Sequence, residues 1–232
     1  KVYICRDVAL FFYAILLKKS MTLHQASMQI QGRPFRYVMH GRQDSERVLF
    51  FFHGYGESGS VRSATKYGPL AWPDVIPANL LVVQPICPSF RVWNVDSLIL
   101  FIEELSVRLK HKKHMYAAGV SMGGYAVWCI LSRRPSLFDS VLTFASGGDM
   151  VQRIGLRYTL FDLSMLRRTQ TRVWSFHGRR DLVIPLSHCV KLVHMTPGAQ
   201  LTVYARKGHR QTMREAMRYS EMYDWMFEKR PS

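Results

Sequence analysis

Ser121 stands in Gly119-Val120-Ser121-Met122-Gly123-Gly124, a stretch that gives a serine hydroxyl the surroundings of a nucleophile. The apolar run Met115-Tyr116-Ala117-Ala118 precedes it and the helix-like Tyr125-Ala126-Val127-Trp128-Cys129-Ile130-Leu131 follows it. The serine is therefore expected on a sharp strand-to-helix turn. Small residues two positions to either side let neighbouring backbone close in on that turn, and the strained conformation presents the hydroxyl outward. A hydroxyl is a poor nucleophile at neutral pH. Attack on a carbonyl needs a base to take its proton and a carboxylate to orient that base. His209 is the expected base, in Ala205-Arg206-Lys207-Gly208-His209 behind the strand-like Leu201-Thr202-Val203-Tyr204. Asp181 is the expected acid, in His177-Gly178-Arg179-Arg180-Asp181 behind the strand-like run from Thr171 to Phe176. Asp162 is the competing carboxylate, but it lacks the strand-end context.

A carbonyl under attack also develops negative charge on its oxygen, which needs fixed donors. The Met122 amide, in the first turn of the helix, is one candidate. Upstream, the buried-strand pattern Arg47-Val48-Leu49-Phe50-Phe51-Phe52 ends in His53-Gly54-Tyr55-Gly56-Glu57-Ser58-Gly59, which is expected to bring the Tyr55 N–H to the same oxygen. His53, directly at the strand end, reads as a structural histidine bonded to nearby backbone. Trp93, Arg179 and Arg180 are expected at the mouth, and the two arginines would suit substrates carrying a carboxylate.

With His53-Gly54-Tyr55-Gly56, Lys66-Tyr67-Gly68-Pro69, Val82-Val83-Gln84-Pro85-Ile86-Cys87-Pro88, Trp93, the serine turn, His177-Gly178-Arg179-Arg180-Asp181 and Gly208-His209, the chain resembles the capless α/β-hydrolases labelled predicted peptidases or putative carboxylesterases. It is similar to feruloyl-esterase-like and dienelactone-hydrolase-like enzymes over about residues 28–229. The resemblance implies an α/β-hydrolase fold, a triad in the chain order Ser, Asp, His, no cofactor, and an esterase more readily than a peptidase. It implies no particular substrate, and the arginine- and leucine-rich stretch between Asp149 and Thr169 matches no motif of the family. The expected function is a serine hydrolase cleaving short-chain or aromatic carboxylic esters through an acyl-enzyme. A peptidase or thioesterase would use the same three residues, and a hydrolase-fold binding protein could retain them with negligible turnover.

The elements that must position these groups are legible as alternation. At 232 residues the chain can bury one substantial core. Strands are predicted at Val48 to Phe52, Leu80 to Gln84, His114 to Ala118, Ser140 to Ala145, Arg172 to Phe176 and Leu201 to Tyr204. Helices are predicted at Val95 to Leu109, Met122 to Ser132, Ser187 to His194 and Gln211 to Lys229. Ser27 to Gln31 and Phe35 to Met39 make an antiparallel start. The pattern predicts a single α/β domain over residues 21–232, with a mostly parallel sheet covered by helices on both faces. The connection from Ser146 to Thr169 is too short for a large cap.

Residues 1–20 are expected to lie outside that domain. Their apolar run, Val8 to Leu17, is far shorter than the roughly twenty residues a membrane span needs. Lys18-Lys19 directly after it and the lack of a small-x-small cleavage site argue against a secretory signal, so a cytoplasmic protein is expected, with a secreted form carrying one disulfide as the alternative. Cys5, Cys87, Cys129 and Cys189 form no C-x-x-C pair and read as free thiols, and His188 and His194 are not spaced as metal ligands, so no metal is expected. The net charge of +16 is spread along the chain without a nucleic-acid-binding module, which predicts a generally basic surface; the expected partner, from the serine site, is a small-molecule ester.

Overall fold

The computed structural model describes residues 23–147, 162–217 and 221–228. The expected N-terminal extension, with its apolar run and Cys5, lies outside the described residues, as does much of the arginine-rich connection.

The chain opens with a hairpin of β1 (His24–Ile30) and β2 (Arg33–His40), turned by Gln31 and Gly32, both in the left-handed region. Six further strands follow: β3 (Arg47–Phe52), β4 (Leu80–Pro85), β5 (His114–Val120), β6 (Ser140–Phe144), β7 (Arg172–Gly178) and β8 (Gln200–Tyr204). They form one eight-stranded sheet in the order β1-β2-β4-β3-β5-β6-β7-β8. Every pairing from β4 to β8 is parallel, and β2 is antiparallel to both of its neighbours. Parallel strands need crossovers, and the connecting helices cover both faces, which is why β3 and β4 carry the apolar runs Val48 to Phe52 and Leu80 to Val83.

Alternation along each strand divides the core into two. Val48, Phe50 and Phe52 face α1 (Val95–Arg108), α2 (Met122–Arg133) and α3 (Leu186–Met195). Leu49 and Phe51 face the opposite layer, with α4 (His209–Ala216) and α5 (Glu221–Phe227). α2 is apolar on nearly every side, and all its residues from Met122 to Ser132 are buried, because it lies between the sheet and neighbouring helical segments. The C-terminal stretch expected as one helix is two, with residues 218–220 between them outside the described set. β5 and β7 each run two residues beyond their predicted ends, which carries the backbone directly into the turns that bear Ser121 and Asp181.

Candidate active site

The loops at the carboxyl ends of the parallel strands carry the site. Between β5 and α2, Ser121 adopts φ 53° and ψ −116°, a region that costs a non-glycine residue energy, and its amide is tied to the Phe144 carbonyl of β6 at 2.9 Å. Gly123 makes this possible. A Cβ there would overlap the Phe52 carbonyl oxygen, so only glycine lets the start of α2 press against the end of β3.

That close approach sets Met122, the first residue of α2, beside the loop after β3. Tyr55 opens a 3-10 turn there, Tyr55–Glu57. Both amides belong to the first turn of a helical segment, where N–H groups lack an intrahelical acceptor.

His53 holds the loop from beneath. It is fully buried; its Nε2 accepts the Cys87 N–H at 3.1 Å, so Nδ1 carries the proton and donates to the Gly54 carbonyl at 2.7 Å. Burial lowers its pKa to about 4 despite the Gly54 bond, so it stays neutral and structural. Trp93 does not line the mouth as expected. It is 4% exposed, its ring packs against Phe52 and His53, and its Nε1–H donates to the His53 carbonyl at 3.1 Å. The expectation failed because an aromatic residue in a loop can serve as a prop as readily as a wall, and here its apolar body fills space under the loop.

His209 is the first residue of α4, behind β8, and Asp181 follows β7. These two loops are stitched together: Arg179 N–H donates to the Tyr204 carbonyl at 3.0 Å and Arg180 N–H to the Lys207 carbonyl at 3.0 Å. Gly178 permits it, since a Cβ there would overlap the Lys207 carbonyl. The result is one hydrogen-bonded line, with His209 Nε2 2.9 Å from Ser121 Oγ and His209 Nδ1 2.7 Å from Asp181 Oδ2. Asp181 is buried, and Oδ1 accepts the amides of Val183 and Ile184, each at 2.9 Å. Burial pushes its carboxyl up, but the bonds from His209 and those amides outweigh it and hold the group below the ordinary carboxylate range. Asp162 is elsewhere: it caps its own 3-10 segment, accepting the Ser164 amide at 2.9 Å. Arg179 and Arg180 lie exposed at the turn just ahead of Asp181.

Two residues enter the site that sequence reasoning did not single out. His177, fully buried, donates from Nε2 to the Ile184 carbonyl at 3.0 Å and lies 3.5 Å from Asp181 Oδ2, so it supports the acid loop. Glu57 is the second. A Cβ on Gly54 would stand 2.6 Å from Glu57 Oε2 and 3.5 Å from Ser121 Cβ, so this carboxyl faces the gap beside the serine. Burial pushes Glu57 up, while the Gly54 amide and the positive field of Arg210, His209 and Lys66 pull it back. Its place in Gly56-Glu57-Ser58 was the available signal, but nearness to Ser121 depends on tertiary closure.

No protein-family model matches this chain, and no curated protein matches it by sequence. Solved structures do. A thermostable esterase superposes with a TM-score of 0.67 and 19% identity, over 90% of this chain and 62% of that one. Est1E from Butyrivibrio proteoclasticus, also solved with ferulic acid bound, gives 0.69 and 11% over 87% and 97%. An acylaminoacyl peptidase from Pyrococcus horikoshii gives 0.71 and 12% over 95% of this chain and 44% of that one. The chain thus spans less than two thirds of the first and less than half of the third. At these identities the likeness is one of architecture, and with its sheet order and its strand-to-helix turn at Ser121 the chain has the α/β-hydrolase fold.

Proposed function

We propose that this chain is a serine hydrolase that cleaves carboxylic esters through an acyl-enzyme. The observation that carries the reading is the unbroken line Ser121 Oγ, His209, Asp181 Oδ2, set at the tip of a strained turn. Asp181 accepts a hydrogen bond from the Nδ1–H of His209, which leaves Nε2 unprotonated and able to take the Ser121 proton as Oγ attacks the ester carbonyl. The Tyr55 and Met122 amides donate to the oxyanion, each worth about 3 kcal/mol of barrier in comparable sites. The imidazolium then protonates the departing alcohol. A water molecule enters, gives its proton to the same nitrogen and attacks the acyl carbon; His209 returns the proton to Ser121 as the acid leaves. No step calls for a cofactor. The acyl groups that fit this reading are short-chain or aromatic.

The test is a fluorophosphonate probe followed by a panel of esters, thioesters and peptides. The wild-type chain should be labelled at Ser121, with esters turned over fastest. Ser121→Ala should abolish labelling and lower ester turnover at least about a thousandfold while keeping the fold. Near-normal turnover in folded Ser121→Ala would exclude the mechanism, and faster cleavage of thioesters or peptides would move the substrate class within it.

A further inference from the structure

Several large apolar side chains stand out of the surface at one edge of the sheet. Phe90, in the loop after β4, is 87% exposed; Leu182 and Val183, after β7, are 88% and 52% exposed; Tyr55, after β3, is 40% exposed. Because β3 to β8 run parallel, these loops share the edge that carries Ser121. Phe90 also holds φ +57°, a conformation unfavourable for a bulky residue, and the fold gains almost no burial from its ring.

The same loops carry the charge left unexplained by the site. Arg91, Arg179, Arg180, Arg206 and Arg210 are exposed, and none makes an ion pair with a described residue. Other cations are matched, among them Arg42–Asp44, Lys113–Glu46 and Arg172–Glu228 near the amino ends of the strands and Lys207–Glu215 beyond β8. The +16 surplus therefore stands partly on the edge where apolar side chains are also exposed. Arginines alone would suit any polyanion. Aliphatic tips such as Leu182 and Val183 gain nothing against a phosphate backbone, whereas exposed apolar side chains on the same loops as unpaired arginines fit the boundary between acyl chains and anionic headgroups. Among the described residues no helix is long and apolar enough to cross a membrane, so such an association would be peripheral.

We propose that this edge docks on an anionic lipid bilayer, with Phe90, Leu182 and Val183 entering the acyl boundary and the arginines facing the headgroups. The docking is independent of the ester-cleavage reading and is measured without turnover.

The experiment uses the full chain carrying Ser121→Ala, sedimented with vesicles of phosphatidylcholine alone or with about 30% phosphatidylserine, at roughly 0.1 M and 0.5 M salt. Partitioning onto the anionic vesicles at low salt should exceed that onto neutral ones at least about tenfold. Phe90→Asn with Leu182→Ser should lower it by about tenfold again, asparagine being suited to the left-handed backbone at position 90. Val107→Ser, which removes an exposed apolar residue near the end of α1, should leave it unchanged. If the double variant melts early, Phe90→Asn alone should still give a loss of several-fold. Equal binding to both vesicle types overturns the proposal. So does salt-sensitive adsorption indifferent to Phe90 and Leu182, which would mark general attraction to polyanions.

Discussion

Ser121 is held in a conformation that costs of order 1–3 kcal/mol, and the cost is met by packing: its amide is bonded to β6 and the helix behind it is buried on nearly all sides. What the strain secures is a hydroxyl aimed at His209, whose other nitrogen is fixed by a carboxylate that two backbone amides hold at its second oxygen. Asp181→Asn would put an amide where the Nδ1 proton is received, favour the wrong imidazole tautomer and leave Ser121 without a base. We expect ester turnover to fall by about four orders of magnitude. Asp162→Asn, which touches only its own turn, should change turnover by less than about threefold. Steady-state rates on one ester rank the two variants, and the opposite ranking would transfer the acid role to Asp162. The three residues of this line were readable because each follows a strand-like run in a fixed order. Glu57 and His177 were not, since their importance lies in proximity to Ser121 and Asp181 across loops that only the folded chain brings together. Trp93 misled for the complementary reason: its surroundings, not its type, make it a support.

At the level of elements, the loop after β3 depends on His53 as a bridge between two strand ends, joined to the Cys87 amide and its own Gly54 carbonyl. A neutral imidazole is required, because the protonated ring could not accept the Cys87 N–H. Folding therefore depresses its pKa from 6.5 to about 4. Between those values the unfolded chain binds more protons than the folded one. The stabilisation is complete above about pH 6.5 and is lost as pH falls toward 4, amounting to about 3 kcal/mol. Denaturant melts between pH 7 and 4.5 should show that decline, and the His53 ring resonances should not titrate above about pH 5. A ring that titrates near 6.5 would mean that the bridge is open in solution. The strands flanking this loop were legible from their apolar runs, and their limits hold to within a few residues. The placement of β4 between β2 and β3 was not, because periodicity along one strand carries no information about which strand pairs with it. The end of α4 at Ala216 was equally hidden within a continuous helical pattern.

For the whole molecule, the parallel topology gathers loops from distant stretches of sequence onto one edge and so gathers their charges as well. Arg179 and Arg180 lie exposed just ahead of Asp181, with Arg210 next to His209. Against them the mouth offers Glu57, half-buried and already within the field of Arg210. We propose that these arginines make the entrance positive, and a positive entrance accelerates the encounter with anionic substrates without altering the chemistry that follows. Esters bearing a free carboxylate should therefore show a kcat/KM advantage over neutral esters of the same size, carried by the encounter and not by kcat. The advantage should shrink as ionic strength rises from about 0.01 M, where the Debye length is about 30 Å, to about 0.15 M, where it is about 8 Å. Arg179→Ala with Arg180→Ala should flatten that salt dependence while neutral esters keep their rates. The assay is kcat/KM for a matched pair of p-nitrophenyl esters across a salt series. If the carboxylate ester has no advantage at low salt, or one that salt does not diminish, these arginines do not steer substrate, and their role is confined to the surface they share with Phe90 and Leu182.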